Sequence, residues 1–149
     1  MEINPHLRNA FEAGYRAPGG TEGRIVACHI MLESEALELH GVLSESLRCP
    51  LLDAINRRVG LDEARHVAFG NIAAQSLVAS LSPGTRQELA NWAETVWKDC
   101  ASSLLDSLAG FAPLAQRPLR KRIAAGWERQ ANGLRHIRLE ARTTSVSSA

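Results

Sequence analysis

The stretch that decides the fold is Leu61-Asp62-Glu63-Ala64-Arg65-His66-Val67-Ala68-Phe69-Gly70. It lies inside the longest apolar-periodic run of the chain. Read as a helix, Leu52, Ile55, Val59, Phe69, Gly70, Ala73, Leu77 and Leu81 recur at the spacing of one buried face. Glu63 and His66 continue that face, four and seven residues after Val59. A carboxylate and an imidazole on a dry seam cost on the order of several kcal/mol unless something pairs with them. Three residues apart, they point the same way about one turn from each other, so one metal ion can take both.

Working outward, breaks in the chain set the neighbouring elements. Ala17-Pro18-Gly19-Gly20 is a strong loop signal after a short helix through Ala10-Phe11-Glu12-Ala13. Thr21 is placed to cap the next helix, with Glu22 in its first turn. That helix runs to about Leu47 on a stripe of Ile25, Cys28, Leu32, Ala36, Leu39 and Leu43, and Cys49-Pro50 ends it because a residue before proline is pushed out of helical geometry. The central helix then covers Leu51 to Leu81. After Ser82-Pro83-Gly84, Thr85 and Glu88 have the spacing of a capping box for a third helix to about Ala109, with Leu89, Trp92, Val96, Cys100, Leu104 and Leu108 on one face. Gly110 to Pro118 reads as a turn region. A fourth helix from Leu119 to about Arg142 presents Ile123, Trp127, Ala131, Leu134 and Ile137. No stretch reads as a strand pair. The expected fold is all-α, an antiparallel bundle of about four main helices, with an N-terminal segment at 1–20, the helical domain at 21–142 and a flexible tail at 143–149.

Composition narrows the function classes. At 149 residues the chain can build one domain with a real core, and a net charge of +1 gives no general attraction to nucleic acid or an anionic membrane. Arg117-Pro-Leu-Arg-Lys-Arg122 is the one basic cluster and reads as a solvated helix start. No apolar run approaches the ~20 residues that span a bilayer. Met1 to Gly20 lacks the charged-then-apolar order of a secretory signal. Cys28, Cys49 and Cys100 are odd in number and far apart, as expected of reduced thiols in a cytoplasmic protein. Glycine-rich phosphate loops and a serine–histidine–acid arrangement are absent from the sequence.

A metal site on a helical hairpin needs ligands at matching depth. Counting from Cys49 as the turn, Glu63 lies 14 residues after it, His66 lies 17 after, Glu33 lies 16 before and Glu35 lies 14 before. At ~1.5 Å per residue all four fall within about a turn of one level. Glu33 is the preferred third ligand: Ile30, Ala36 and Leu37 flank it, with His29 one turn below and His40 two turns above. Glu35, with Glu38 beside it, reads as the wetter alternative. His29 and His40 line the same face as Glu33 and are further candidate ligands.

Glu33, then thirty residues, then Asp62-Glu63-Ala64-Arg65-His66 resembles one half of the ligand set of the ferritin-like di-iron carboxylate superfamily. The string Asp-Glu-Ala-Arg-His-Val-Ala-Phe-Gly is particularly similar to the second ligand-bearing hairpin of its oxygenase-like branch, and the likeness spans about residues 25 to 80. The resemblance implies a ferritin-like half-bundle and a di-iron centre, with manganese as an alternative metal. In it Glu63 bridges two metals, His66 is a terminal ligand and Glu33 is terminal or bridging. Asp62 accepts a hydrogen bond from a metal-bound histidine, and Arg65 neutralises Asp62 or a nearby carboxylate. A complete site takes a Glu from each of two helices and a Glu-x-x-His from each of two more, and this sequence holds a single Glu-x-x-His. The implied function is therefore an O2- or peroxide-dependent oxidoreductase completed by homodimerisation. The alternatives are a split protein that takes its missing ligands from a second helical subunit, and a metal-free helical interaction module derived from a di-iron oxygenase.

Overall fold

The computed structural model describes residues 5–47, 49–108 and 116–139, and among these every regular element is helical. Helix α1 (Pro5–Tyr15) precedes the Pro18-Gly19-Gly20 turn. Helix α2 (Thr21–Ile25) then continues without a break through a π-helical segment (Val26–Leu32) into α3 (Glu33–Leu47). Helix α4 (Pro50–Ser80), α5 (Pro83–Leu108) and α6 (Gln116–His136) complete an all-helical bundle.

The continuous column 21–47 is the centre of the bundle. Helix α4 packs along the whole of it, touching α2, the π segment and α3, while α6 packs on α3, and α5 packs on α6, α1 and the π segment. Val26, Ala27, Ile30 and Met31 of the π segment are therefore fully buried, with Val42 beyond them and Ala74, Val78, Leu89, Ala93, Trp97 and Leu134 closing around. The expected stripe of Ile25, Cys28, Leu32, Ala36, Leu39 and Leu43 is only half-buried. Two causes combine: the column is covered from two sides, and the wider π turn shifts the phase of every residue after Val26 against a 3.6-residue repeat.

Four boundaries follow local chemistry. Cys49 is extended (φ −100°, ψ 113°) before Pro50, which opens α4 at its first position, where its missing N–H is harmless. Ser82, not Thr85, caps α5: its Oγ accepts from the Thr85 N–H at 3.1 Å, so the Thr85–Glu88 capping box is not formed. Thr21 likewise does not cap; Gly20, at φ 64°, is the cap residue and Thr21 begins the helix. The C-terminus of α6 is a Schellman turn, with Leu139 N–H on the Leu134 carbonyl, Arg138 N–H on the Arg135 carbonyl, and buried Leu134 and Leu139 on the core. Arg138 occupies the left-handed position of that turn at φ 65°, where glycine is usual. The expected tail at 143–149 lies outside the described residues.

Helix α4 carries the main correction. Its buried line is Asn56, Gly70, Ala74 and Val78: Gly70 is where expected, while Asn56, Ala74 and Val78 stand one residue, about 100°, round from the expected Ile55, Ala73 and Leu77. Ile55 and Phe69, expected inside, are 50% and 57% exposed. Gly70 fixes the approach: a Cβ there would stand 2.7 Å from His29 Cβ and 3.0 Å from the His29 carbonyl oxygen. The one-residue shift leaves Leu51, Ile55 and Phe69 on an uncovered edge.

Gly70→Ala should destabilise the protein by about 1–3 kcal/mol through overpacking, although alanine is favoured over glycine in a helix by about 1 kcal/mol. Arg138→Gly should do the reverse, adding about 0.5–1 kcal/mol by relieving the left-handed residue. Urea denaturation of both variants against the parent chain measures each.

Candidate metal centre

The antiparallel hairpin of α3 and α4 brings the ligand candidates to one level. Contacts pair His29 with Gly70, Glu33 with Glu63 and His66, and His40 with Asn56, running in opposite directions along the two helices. Glu33 is the first residue beyond the π segment, and its Oε1 lies 3.3 Å from Nδ1 of His66 and 3.3 Å from Nδ1 of His29. His66 Nδ1 is also 3.5 Å from Glu63 Oε2. One ligand atom from each of Glu33, Glu63 and His66 lies within 4.8 Å of the others.

These separations are informative. A direct ion pair of this kind closes to about 2.7–2.9 Å. Ligand atoms at about 2.0–2.2 Å from a shared ion stand further apart, at about 3.0–3.6 Å along the edge of an octahedron or tetrahedron. The observed 3.3–3.5 Å leaves room for a shared cation; the same 3.3 Å separates Glu33 from His29, so spacing alone does not mark one. Glu33 Oε2 is buried with no hydrogen-bond partner, a sign of an unmet electrostatic demand. His29 Nδ1 is also buried and unbonded, its approach to Glu33 lacking hydrogen-bond alignment.

Burial raises the Glu33 carboxyl above its ordinary range; the imidazoles of His29 and His66 oppose the shift and Glu63 adds to it. The Cys28 thiol is raised too, first by burial and then by the charge of Glu33. The side chains of Glu33 and Glu63 are 20% and 23% exposed, whereas His66 is 55% exposed. The acids thus sit in the hairpin seam and the imidazole stands at its open edge. His29 packs edge-on against Phe69, with ring centroids 5.5 Å apart, and against His66 at 6.2 Å.

The remaining candidates fall elsewhere. Asp62 pairs with Arg65 as expected, but both are exposed and Asp62 meets no histidine among the described residues. Glu35 is on the other side of α3 and does not join the cluster. It is also the drier acid, contrary to expectation. Its Oε1 is buried without a partner, and burial pushes its carboxyl up to about 8. Its charge, after burial itself, helps push the Cys100 thiol up to about 12. His40 turns away from the cluster and pairs with Asn56, Nδ1 to Oδ1 at 3.0 Å. Sequence reasoning passed over buried Asn56; its place seven residues before Glu63 puts it on the same helical face.

Comparison with protein-family models, with curated proteins and with solved structures gives no match. The chemistry of the site is therefore carried by its geometry. Three donors of mixed carboxylate and imidazole type suit a divalent first-row metal such as iron or manganese.

Glu35 sets a pH dependence. Folded, it holds a proton up to about pH 8, whereas an ordinary carboxyl loses it near 4.5, so stability falls as pH rises through that window and levels off above it. The slope is at most about 1.4 kcal/mol per pH unit. Glu35→Gln should match the parent near pH 4 and exceed it at pH 8, as read by denaturation midpoints across that range. Taking the difference between the two proteins cancels the parallel contribution of Glu33.

Proposed function

We propose that the chain is one subunit of a ferritin-like di-iron, or iron/manganese, oxidoreductase whose metal site is completed by a second copy. The observation that carries this reading is the convergence of Glu33, Glu63 and His66, with ligand atoms within 4.8 Å of one another. Three ligands are half of the four-Glu, two-His set that a di-metal helical bundle uses. A twofold axis doubles them without any new sequence.

The place of that axis is supported by the uncovered edge of α4. Leu51, Ile55, Asp62, His66 and Phe69 follow one another at helical spacing, and the three apolar members are 69%, 50% and 57% exposed. An exposed apolar strip with a half-exposed ligand in its middle is a surface that a partner covers. Meeting along it places the open side of one ligand set against the other. Asp62 then faces across the interface, where the histidine it orients belongs to the second copy.

Within the site Glu63, from the line of α4 that faces the seam, would hold the metal together with Glu33 and His66. Together the acids supply the negative charge that a divalent pair requires in a half-dry seam. His29 and Phe69 cover the end of the site and restrict water. When bound, the metals supply one-electron chemistry toward O2 or peroxide.

Anaerobic loading with ferrous iron, followed by metal analysis and sedimentation on the same sample, tests the reading. The expected result is a dimer with about one iron per chain. Glu63→Gln or His66→Ala should lower affinity by more than the ~10–100-fold typical of losing a supporting group. Phe69→Asp should give folded monomers without metal. A monomer that binds two metals tightly overturns the dimer, and a monomer loaded only after addition of a second protein identifies a split site. Absence of metal, with stability unchanged by chelator, identifies a metal-free interaction module.

A further inference from the structure

Where α5 begins and α6 ends lies a cleft of about 330 Å³, lined by Pro83, Arg86, Gln87, Arg135 and Arg138. Most of this lining is arginine and none of it is acidic. Elsewhere in the fold arginines find carboxylates: Arg57 pairs with Asp53, Arg122 with Glu45 and Arg129 with Glu38. Among the described residues no such pair forms at Arg86, Arg135 or Arg138.

The surrounding backbone adds to this positive charge instead of offsetting it. Arg86 stands half-buried in the first turn of α5, where a helix carries its positive end and acidic residues are favoured; that turn has none. Across the cleft, Arg135 and Arg138 belong to the Schellman turn that closes α6. Its N–H groups already take the Leu134 and Arg135 carbonyls, the oxygens that otherwise attract a cation at a helix end. Arg138 keeps a cationic side chain at a left-handed position where glycine would relieve the backbone. The arginines and the helix end thus meet around one small cleft, in a chain whose net charge is only +1.

A compact polyvalent anion answers that arrangement. Guanidinium groups pair with phosphoryl oxygens in bidentate fashion, and a phosphoryl group presents acceptors in several directions to arginines arriving from two helices. Two linked phosphoryl groups carry about three negative charges at neutral pH, enough to match the arginines. We infer that this cleft binds a diphosphate group, free or as part of a nucleoside diphosphate, with Arg86, Arg135 and Arg138 as its ligands. The site is separate from the acid–imidazole cluster, since His66 and the end of α4 at Ser80 lie ~20 Å apart along the helix. An anion held there ties the start of α5 to the end of α6, so its binding also reads out as stability.

Pyrophosphate, ADP and orthophosphate titrated calorimetrically into the full chain at low salt, after metal is removed with chelator, test the cleft, with thermal unfolding in parallel. Pyrophosphate should bind at least about tenfold more tightly than orthophosphate, raise the melting temperature and weaken steeply with added salt. ADP binding at least as tightly as pyrophosphate assigns the group to a nucleotide, and weaker ADP assigns it to the free anion; both sustain the site. Arg86→Gln and Arg138→Gly should each cut pyrophosphate affinity by about tenfold or more. Because Arg138→Gly relieves the backbone, its loss of binding should come with a ligand-free melting temperature no lower than the parent's. Arg57→Gln, near the opposite end of α4, and Glu63→Gln should bind pyrophosphate as the parent does. Pyrophosphate no tighter than orthophosphate, undiminished binding in either cleft variant, or an equal loss in Arg57→Gln or Glu63→Gln overturns the proposal.

Discussion

The bundle depends on how closely α4 can approach the π segment. At Gly70 the absent side chain lets α4 rest on the backbone and Cβ of His29, a distance no other residue would permit. That contact fixes the depth of α4 along the central column and its rotation about its own axis. Glu63, seven residues before Gly70, is thereby turned into the seam toward Glu33, and His66 is left at its edge. Both the acid cluster and the uncovered strip of α4 follow from that one rotation.

The seam is layered by polarity. The glycine contact stands at one end, the Glu33–Glu63–His66 cluster one to two turns along it, and the His40–Asn56–Ser44 network beyond. Buried polar groups are costly when unmet and specifying when met. Asn56 is fully used, whereas Glu33 and Glu35 each keep one buried oxygen without a partner. For Glu33 the neighbouring donors explain the demand. For Glu35 the proton retained to about pH 8 removes the charge altogether.

Much of this was legible in the residues alone. Cys49-Pro50 and Ser82-Pro83-Gly84 mark real breaks, and counting residues from Cys49 brings Glu33 and Glu35 alike to the level of Glu63 and His66, of which the structure joins Glu33 to the cluster. Chain breaks and depth along a hairpin depend on local chemistry and on a fixed rise per residue, and both transfer directly from sequence. Rotation does not. The stripe on the central column failed because a π turn departs from the 3.6-residue repeat, and nothing in Val26–Leu32 announces one. The face of α4 failed by one residue because Ile55 and Phe69 were assigned inward for being apolar. Asn56 packs in place of Ile55, and of the neighbours Phe69 and Gly70, both expected inside, only Gly70 is buried. Glu35 was misread as wet since charge type alone does not say which side of a doubly covered helix a residue faces.

The π segment has a bearing on how this chain tolerates changes in length. Seven residues wound wider than an α-helix amount to an insertion absorbed in place, without a loop. Deleting one of them would let the helix regularise, but everything upstream would swing by about 100° relative to Glu33. His29 would leave Gly70, and the core side chains Ile30 and Met31 would leave their neighbours. In this stretch the number of residues is as strongly constrained as their identity.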